Sequence, residues 1–218
     1  DGVAKQVNLP LFKNAKKRGI TAIILDEGDV LHSCVLVKED EDCMIVTKHG
    51  KGLRFSSSSV RAMGRSSRGV RGIRLIGDDQ VVGLLKVQDD KRILLITENG
   101  QGKQITFDSF RAHGRGTMGQ KIYTFREKTG YIVRALSVND DNDIMIITTF
   151  GQSIRIPVAT ISIQGAYASG VVIARLKKND SIQALAVADA EKDEDGEDDE
   201  YSEENQTEES EQIEETEE

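Results

Sequence analysis

Short apolar stretches separated by polar turns recur along the chain in a fixed order. In each unit an acidic turn precedes an alternating or apolar segment, and a second acidic turn precedes a run rich in β-branched residues. A glycine hairpin, such as Asn99-Gly100, then joins that run to a return strand. Helical periodicity is almost absent, so the pattern predicts an all-β protein. The predicted strands cover residues 30–37, 43–46, 53–55, 81–87, 93–96, 103–107, 132–138, 144–147, 153–158 and 182–187.

A glycine-punctuated loop recurs once in each unit and sets the period of the chain. The final glycines of these loops are Gly19, Gly69, Gly119 and Gly170, spaced by 50, 50 and 51 residues. A repeat of this length with four short strands predicts the blades of a β-propeller, stacked around a central axis. The sequence supplies three and a half to four such blades and begins at Asp1 within a unit. We therefore expect it to be a piece of a longer protein, with blades missing before Asp1.

Charge divides the chain into a basic body and an acidic end. Residues 189–218 contain 18 acidic residues and one basic residue, a net charge of −17, whereas residues 1–188 contain 28 basic and 19 acidic residues, a net charge of +9. The end segment combines dense like charge with no apolar periodicity. We predict propeller repeats at 1–188 and a disordered acidic tail at 189–218. The basic body favours a polyanionic partner, and the alternative is an ordinary solvated surface.

Other chemistries find little support in the sequence. The acidic turns, such as residues 140–143, lack the glycine and distal glutamate of an EF-hand loop, and the histidines show no triad-like order. Cys34 and Cys43 lack metal-ligand spacing and are expected to be reduced thiols. Neither a phosphate-binding P-loop nor an apolar run of about 18 residues occurs. We expect no catalytic residue, metal site or ATP site in this chain.

Several stretches match a known pattern in order. They are Ser59-Val60-Arg61-Ala62-Met63-Gly64, Gly69-Val70-Arg71-Gly72-Ile73-Arg74-Leu75, Thr97-Glu98-Asn99-Gly100-Gln101-Gly102-Lys103 and Ile144-Met145-Ile146-Ile147-Thr148, with Ile154-Arg155, the segment 161–176 and the acidic tail. Together they resemble the C-terminal domain of the bacterial DNA gyrase A protein over essentially the whole chain. The resemblance implies a six-bladed β-pinwheel, a propeller whose blades exchange strands, that wraps duplex DNA around a basic rim. The family's Gln-Arg-Arg-Gly-Gly-Lys-Gly box has no copy in this sequence.

The resemblance also implies a role: a non-catalytic DNA-wrapping module of a type II topoisomerase that introduces negative supercoils. The expected partners are double-stranded DNA, the remainder of the DNA gyrase A protein, and the gyrase B protein. ATP and Mg²⁺ would act elsewhere in that cytoplasmic assembly, and the isolated chain is expected to be monomeric and to bind no membrane. The acidic tail has two interpretations, a solubility brush or an intramolecular competitor of DNA.

The predicted DNA contacts lie in the glycine loops, the hairpins and the return strands. Phosphate contacts need positive charge and accessible N–H groups, and glycines allow the backbone to come close. The alternative is that the glycines only permit a positive φ while the arginines are solvated. The loop at 165–170 has no basic residue and is expected to contribute least. The predicted contacts are Lys16, Lys17, Arg18, Lys51, Arg65, Arg68, Arg71, Lys103, Arg115 and Lys121.

Three other functions remain open at this point. The A-type component of topoisomerase IV has a similar but more degenerate propeller, and the intact Gly-Val-Arg-Gly-Ile-Arg-Leu stretch at 69–75 favours gyrase over it. A propeller that binds proteins rather than DNA is the second alternative, and weak salt dependence would indicate it. A stand-alone enzyme is the third, and turnover by the isolated chain would indicate it.

Overall fold

The computed structural model describes residues 1–189, which form short β-strands joined by turns and single-turn 3-10 helices. Within that range no helix has the length and apolar character needed to cross a bilayer. The all-β prediction is confirmed. The 3-10 helices are Leu9–Phe12, Ser57–Ser59, Phe107–Ser109 and Val158–Thr160. The strands are β1 (Val3–Ala4), β2 (Asp42–Thr47), β3 (Lys51–Ser56), β4 (Val70–Arg71), β5 (Val81–Lys86), β6 (Arg92–Thr97), β7 (Gln101–Thr106), β8 (Gln120–Lys121), β9 (Ile132–Val138), β10 (Asn142–Thr148), β11 (Ser153–Pro157), β12 (Val171–Val172) and β13 (Ile182–Asp189).

Each four-stranded sheet takes its outermost strand from the following repeat. One sheet has the order β5-β2-β3-β8 and the next has the order β9-β6-β7-β12. In the first, β2 and β3 form a hairpin, β5 pairs with β2, and β8 arrives from beyond β7 to pair with β3. The sheet β13-β10-β11 and the pair β1-β4 follow the same plan with fewer strands. This exchange of strands links neighbouring blades and agrees with a β-pinwheel.

Apolar side chains of the hairpin strands fill the spaces between neighbouring sheets. On β6, Ile93 and Leu95 share a buried cluster with Met44 of β2. The intervening residue, Leu94, shares a different cluster with Ile144 of β10. Successive side chains of a strand point to opposite faces, so both faces of β6 are buried between blades. This arrangement explains why the central runs are continuously apolar rather than alternating.

One predicted strand is wrong for this chain. Residues 30–37 contain no strand, whereas the equivalent residues 50 positions later form β5. β5 pairs with β2 of the preceding repeat, whereas no strand within residues 1–189 pairs with residues 30–37. Val30 and Leu36 are 73% and 65% exposed. An isolated strand without a hydrogen-bonding neighbour is not stable, so the segment stays irregular.

The end of β13 lies close to the predicted boundary between the repeats and the acidic tail. Asp189, which the sequence assigns to the tail, is the last residue of β13 and pairs with Asn142 of β10. The remainder of the predicted tail, residues 190–218, lies outside the described residues. β13 therefore extends one residue past the predicted boundary after residue 188.

Candidate nucleic-acid interface

Each glycine loop lies against the segment that follows the preceding glycine loop. The amide of Ile24 donates to Ser67 O at 3.3 Å, and 50 residues further on the amide of Arg74 donates to Thr117 O at 2.8 Å. At the third equivalent position, the Thr124 hydroxyl donates to Tyr167 O at 2.7 Å. The loops 64–69, 114–119 and 165–170, with β4, β8 and β12, thus form a connected surface at the outer side of the sheets. We call this surface the loop edge.

Gly119 shows why each loop ends in glycine. Its φ is +69°, and a Cβ at this position would lie 2.6 Å from Gly52 O on β3. Gly170 has a φ of +89°, and its Cβ would lie 2.8 Å from Gly102 O on β7. A side chain at either position would be strained and would push the outermost strand away from its sheet. By contrast, a Cβ on Gly114, the first glycine of the same loop, would meet nothing within 4 Å.

Arg65 and Arg115, two of the predicted DNA contacts, also join neighbouring repeats. Arg65 Nη1 donates to Thr21 O at 2.9 Å, and Arg115 Nη1 donates to the equivalent carbonyl, Arg71 O, at 3.1 Å. Arg115 Nε also donates to Ser59 O at 2.8 Å. A guanidinium group carries five N–H donors, so these bonds leave others free to bind an anion. Both arginines therefore fix the loop edge and place positive charge on it.

Lys51 and Lys121 lie directly opposite each other where β3 pairs with β8. Opposite residues of an antiparallel pair point to the same face, and like charges in that position repel each other. Among the ion pairs that residues 1–189 form, none includes either lysine. The Lys121 side chain is exposed and Lys51 is half-buried. An anion that bound between the two ammonium groups would relieve this repulsion.

The other predicted cations are exposed but less closely grouped. The basic run 16–18 lies in the turn before Gly19, with all three residues exposed. Arg71 is exposed on β4, where its carbonyl accepts from the loop of the next repeat. Arg68 Nη1 lies 2.8 Å from Asp26 Oδ1, and both side chains are more than half exposed. An exposed ion pair is worth about 0–1 kcal/mol, so a phosphate can compete with Asp26 for Arg68.

The prediction of Lys103 as a DNA contact is wrong. Its side chain is fully buried on β7, and Nζ donates to the carbonyls of Gly165, Ala166 and Ala168 at 2.8, 3.0 and 2.9 Å. Burial lowers the pKa of Lys103 to about 8. Because the ammonium group is surrounded by backbone, it cannot reach a phosphate. Lys103 instead holds the loop 165–170 in place.

Lys5 has the same role in an earlier repeat, and it was not among the residues predicted from the sequence. Its Nζ donates to Ala22 O at 2.8 Å, to Ser67 O at 2.9 Å and also to Arg65 O. Burial, and then the charge of Arg65, lowers the pKa of Lys5. The sequence does indicate this equivalence, because residues 2–5 align with residues 100–103 and so place Lys5 at the position of Lys103. The aligned lysines, Lys5 directly after β1 and Lys103 within β7, can therefore both be recognised as loop clamps.

A cavity of about 460 Å³ lies between the inner strands β5, β9 and β13. His32 lines it, with Nε2 3.1 Å from Nη1 of Arg134 and Nδ1 3.1 Å from Oγ of Ser33. Burial, and then the Arg134 charge, lowers the pKa of His32, which favours the neutral imidazole at pH 7. Because arginine can only donate, Nε2 accepts and Nδ1 carries the proton toward Ser33. The imidazole is thus not arranged to remove a proton from that serine.

The exchanged strands, the loops that recur every 50 residues and the basic loop edge define the class of this protein: a β-propeller domain of the pinwheel type. The family model described as DNA gyrase C-terminal domain, beta-propeller, matches residues 41–88, 91–139 and 142–189. The chain belongs to this family, and the resemblance inferred from the sequence is confirmed.

Curated relatives and solved structures agree with the family model. The chain is 59% identical over 185 residues to the DNA gyrase A protein of Treponema pallidum and 49% identical over 194 residues to that of Halalkalibacterium halodurans, covering 85% and 89% of this chain. It spans 23% of the length of each relative. A structure of the DNA gyrase A C-terminal domain has a TM-score of 0.71 at 30% identity, covering 78% of this chain and 58% of its own. The C-terminal domain of DNA topoisomerase IV has a TM-score of 0.80 at 22% identity, covering 87% and 60%, and this likeness concerns the fold alone.

Proposed function

We propose that this chain is the DNA-binding module of a DNA gyrase A protein and that it bends duplex DNA along the loop edge. The observation that carries the proposal is the pair of lysines, Lys51 and Lys121, held opposite each other without an acidic partner among the described residues. At the equivalent junction of the preceding repeat, where β1 pairs with β4, Arg71 lies opposite Val3, and Arg115 Nη1 donates to the Arg71 carbonyl. Basic groups thus recur along a surface that the fold repeats every 50 residues. A phosphate backbone can contact such a series of charges in succession.

Contact with the DNA backbone, rather than with base edges, suits this surface. The body of the chain has a net charge of +9 over residues 1–188, and neutralising phosphates releases counterions from the duplex. The loops contribute backbone N–H groups and arginines, which position DNA without reading its sequence. Bending a short duplex by 40–90° costs about 1–6 kcal/mol, which several phosphate contacts offset. Sequence preference would then arise from the ease of bending.

The wider role follows the relatives. We extend to this chain the role of a wrapping module that fixes the sign of the DNA crossing passed to a strand-passing core, so that negative supercoils result. The expected assembly contains the remainder of the gyrase A protein together with the gyrase B protein, in the cytoplasm. The cleaving tyrosine and the ATPase with its Mg²⁺ would belong to the other parts of that assembly. The acidic tail, residues 190–218, would compete with DNA for the loop edge.

The topoisomerase IV alternative is less well supported. The solved topoisomerase IV domain shares the fold at 22% identity, whereas the two gyrase A proteins share 59% and 49% identity with this chain. The 69–75 stretch that favoured gyrase also contacts the glycine loop of the next repeat, because Gly72 O accepts from the amide of Gly116 at 2.6 Å. We therefore retain gyrase as the proposed function.

A salt series tests DNA binding directly. A labelled duplex of about 40 base pairs is titrated with residues 1–218 and with residues 1–189 between about 50 and 200 mM salt. We expect affinity to fall with salt at about 0.9 log units per log unit of salt for each phosphate neutralised, and the tail-free chain to bind more tightly. A folded 1–189 chain that binds no duplex at low salt would contradict the proposal. Weak, salt-independent binding would instead favour a protein-binding propeller.

Charge variants locate the contact on the loop edge. Lys51→Gln and Lys121→Gln should each reduce the salt slope by about 0.9. The matched control is Lys91→Gln, which removes a charge from the turn before β6, at the end of that strand away from its hairpin. Equal slopes for all three variants would show that the DNA does not follow the loop edge.

Wrapping needs a separate test, because a straight duplex can also bind. A nicked plasmid is ligated in the presence of saturating chain, and the linking number of the product is measured after the protein is removed. A shift that grows with the amount of bound protein would support wrapping. Tight binding with an unchanged linking number would limit the function to DNA binding without wrapping.

A further inference from the structure

Tyr167 is an exposed aromatic residue whose backbone is unusually well fixed. Its side chain is 74% exposed at the apex of the loop 165–170. The carbonyls on either side, Ala166 O and Ala168 O, accept from Lys103 Nζ, and the carbonyl of Tyr167 itself accepts from the Thr124 hydroxyl. These bonds hold the peptide groups around Tyr167 while the phenol ring extends outward. A side chain carried by a fixed backbone loses less conformational entropy on binding than one carried by a mobile loop.

The ring lies beside a charge that already belongs to the proposed DNA surface. Lys121 Nζ lies over the Tyr167 ring, 5.8 Å from its centroid, within the range of a cation–π contact. Lys121 in turn lies opposite Lys51 across the β3–β8 pair. The phenol and two ammonium groups therefore occupy one region of the loop edge.

Tyr167 occupies a position at which the two preceding loops have a small residue. When the loops are aligned at their final glycines, Tyr167 corresponds to Gly116, 51 positions earlier, and to Ser66, 101 positions earlier. The last loop has no arginine to match Arg65 or Arg115. Its one large polar side chain is the tyrosine, whose hydroxyl extends farther from the backbone than that of serine or threonine.

We propose that Tyr167 is a DNA-backbone contact, in which the phenol hydroxyl donates to a phosphate oxygen while Lys121 neutralises the same stretch of backbone. Tyrosine hydroxyls are among the side-chain groups that bind phosphate in protein–DNA complexes. The inference rests on the proposed function and adds a neutral contact to it. It also gives a role to the loop from which the sequence predicted the smallest contribution.

The test uses Tyr167→Ala and Tyr167→Phe in residues 1–218, with the same labelled duplex and salt series. Tyr167→Ala should weaken binding about three- to tenfold, and Tyr167→Phe should recover only part of that loss. Neither change removes charge, so the salt slope should stay at the wild-type value, whereas Lys121→Gln lowers it by about 0.9. The control is Phe150→Ala, which removes a 59% exposed ring from the β10–β11 hairpin and should leave affinity unchanged.

The outcomes separate this inference from the function on which it rests. If the wild-type chain binds DNA and Tyr167→Ala binds equally well, the inference is overturned, the proposed function stands, and the ring is left for a protein partner. If Tyr167→Phe retains full affinity, the hydrogen bond to phosphate is overturned. If the wild-type chain does not bind the duplex, both the inference and the proposed function fail.

Discussion

Replacing Gly119 by alanine should disrupt the strand exchange, whereas the same change at Gly114 should not. The two glycines begin and end the same loop, so each variant adds one methyl group to it. At Gly119, the new Cβ would lie 2.6 Å from Gly52 O and 3.3 Å from the Cβ of Leu53, and φ is +69°. At Gly114, the new Cβ would meet nothing within 4 Å, and φ lies outside the left-handed region.

The magnitude follows from two costs at Gly119. A residue with a Cβ in the left-handed region costs about 1–2 kcal/mol. Moving β8 away from the Gly52 carbonyl also weakens backbone bonds such as that from the Ile122 amide to Gly50 O, at about 0.5–1.5 kcal/mol each. We expect Gly119→Ala to lower the free energy of unfolding by about 2–4 kcal/mol. Gly114→Ala should raise it by about 0.4–1 kcal/mol, because alanine restricts the unfolded chain.

Urea unfolding of residues 1–218, followed by far-UV circular dichroism, measures both variants against the wild-type chain. The slope of the transition should stay constant, so that the midpoints report stability. A Gly119→Ala midpoint equal to or above that of the wild-type chain would refute the argument, because it would show that β8 adjusts to the methyl group without cost. A loss at Gly114 as large as that at Gly119 would show that the whole loop, rather than the carbonyl contact, is intolerant.

Two further predictions concern stability at alkaline pH, and they have opposite signs. Burial holds the pKa of Lys103 at about 8, below its ordinary value of 10.5. Between these two pH values the unfolded chain binds more protons than the folded chain, so the free energy of unfolding rises by up to about 3 kcal/mol as pH rises. Lys103→Met should abolish this gain in urea midpoints measured across that range. Burial raises the pKa of Cys43 from 9.0 to about 11. Between these two pH values the folded chain binds more protons than the unfolded chain, so the free energy of unfolding falls by up to about 3 kcal/mol as pH rises. Cys43→Ala should remove the fall, and a variant that still shows it would contradict this assignment.

Much of the fold could be predicted from the sequence because the same order of turns, apolar runs and glycines recurs in each repeat. The glycine spacing and the apolar runs located most strands, and β9 was predicted from first to last residue. The sequence could not show which strands pair, since β5 joins the hairpin of the preceding unit rather than the following one. Pairing also explains the failure at residues 30–37, which have the apolar pattern of a strand but no pairing strand within residues 1–189.

The basic surface was only partly predictable, because charge alone does not distinguish a buried lysine that holds a loop in place from an exposed lysine that can bind an anion. Lys103 and Lys121 look equivalent in composition, yet the first is buried among carbonyls and the second is exposed. Their difference depends on which face of a strand each occupies. The alignment of Lys5 with Lys103 indicates that these two lysines share a role. The environment of Tyr167 depends instead on a contact with the preceding repeat, through the Thr124 hydroxyl, which the sequence does not specify.

The exchange of strands also has a consequence for synthesis on the ribosome. The β2–β3 hairpin is complete at Ser56, but its outer partner, β8, begins at Gln120. Lys121 follows Lys51 by 70 residues, which at 5–20 residues per second take about 4–14 s to translate. During that interval the outer edge of β3 has unpaired backbone N–H and C=O groups, which can pair with strands of other nascent chains. Charged side chains on an edge strand discourage such pairing, so Lys51 would protect the unfinished blade until β8 pairs with β3.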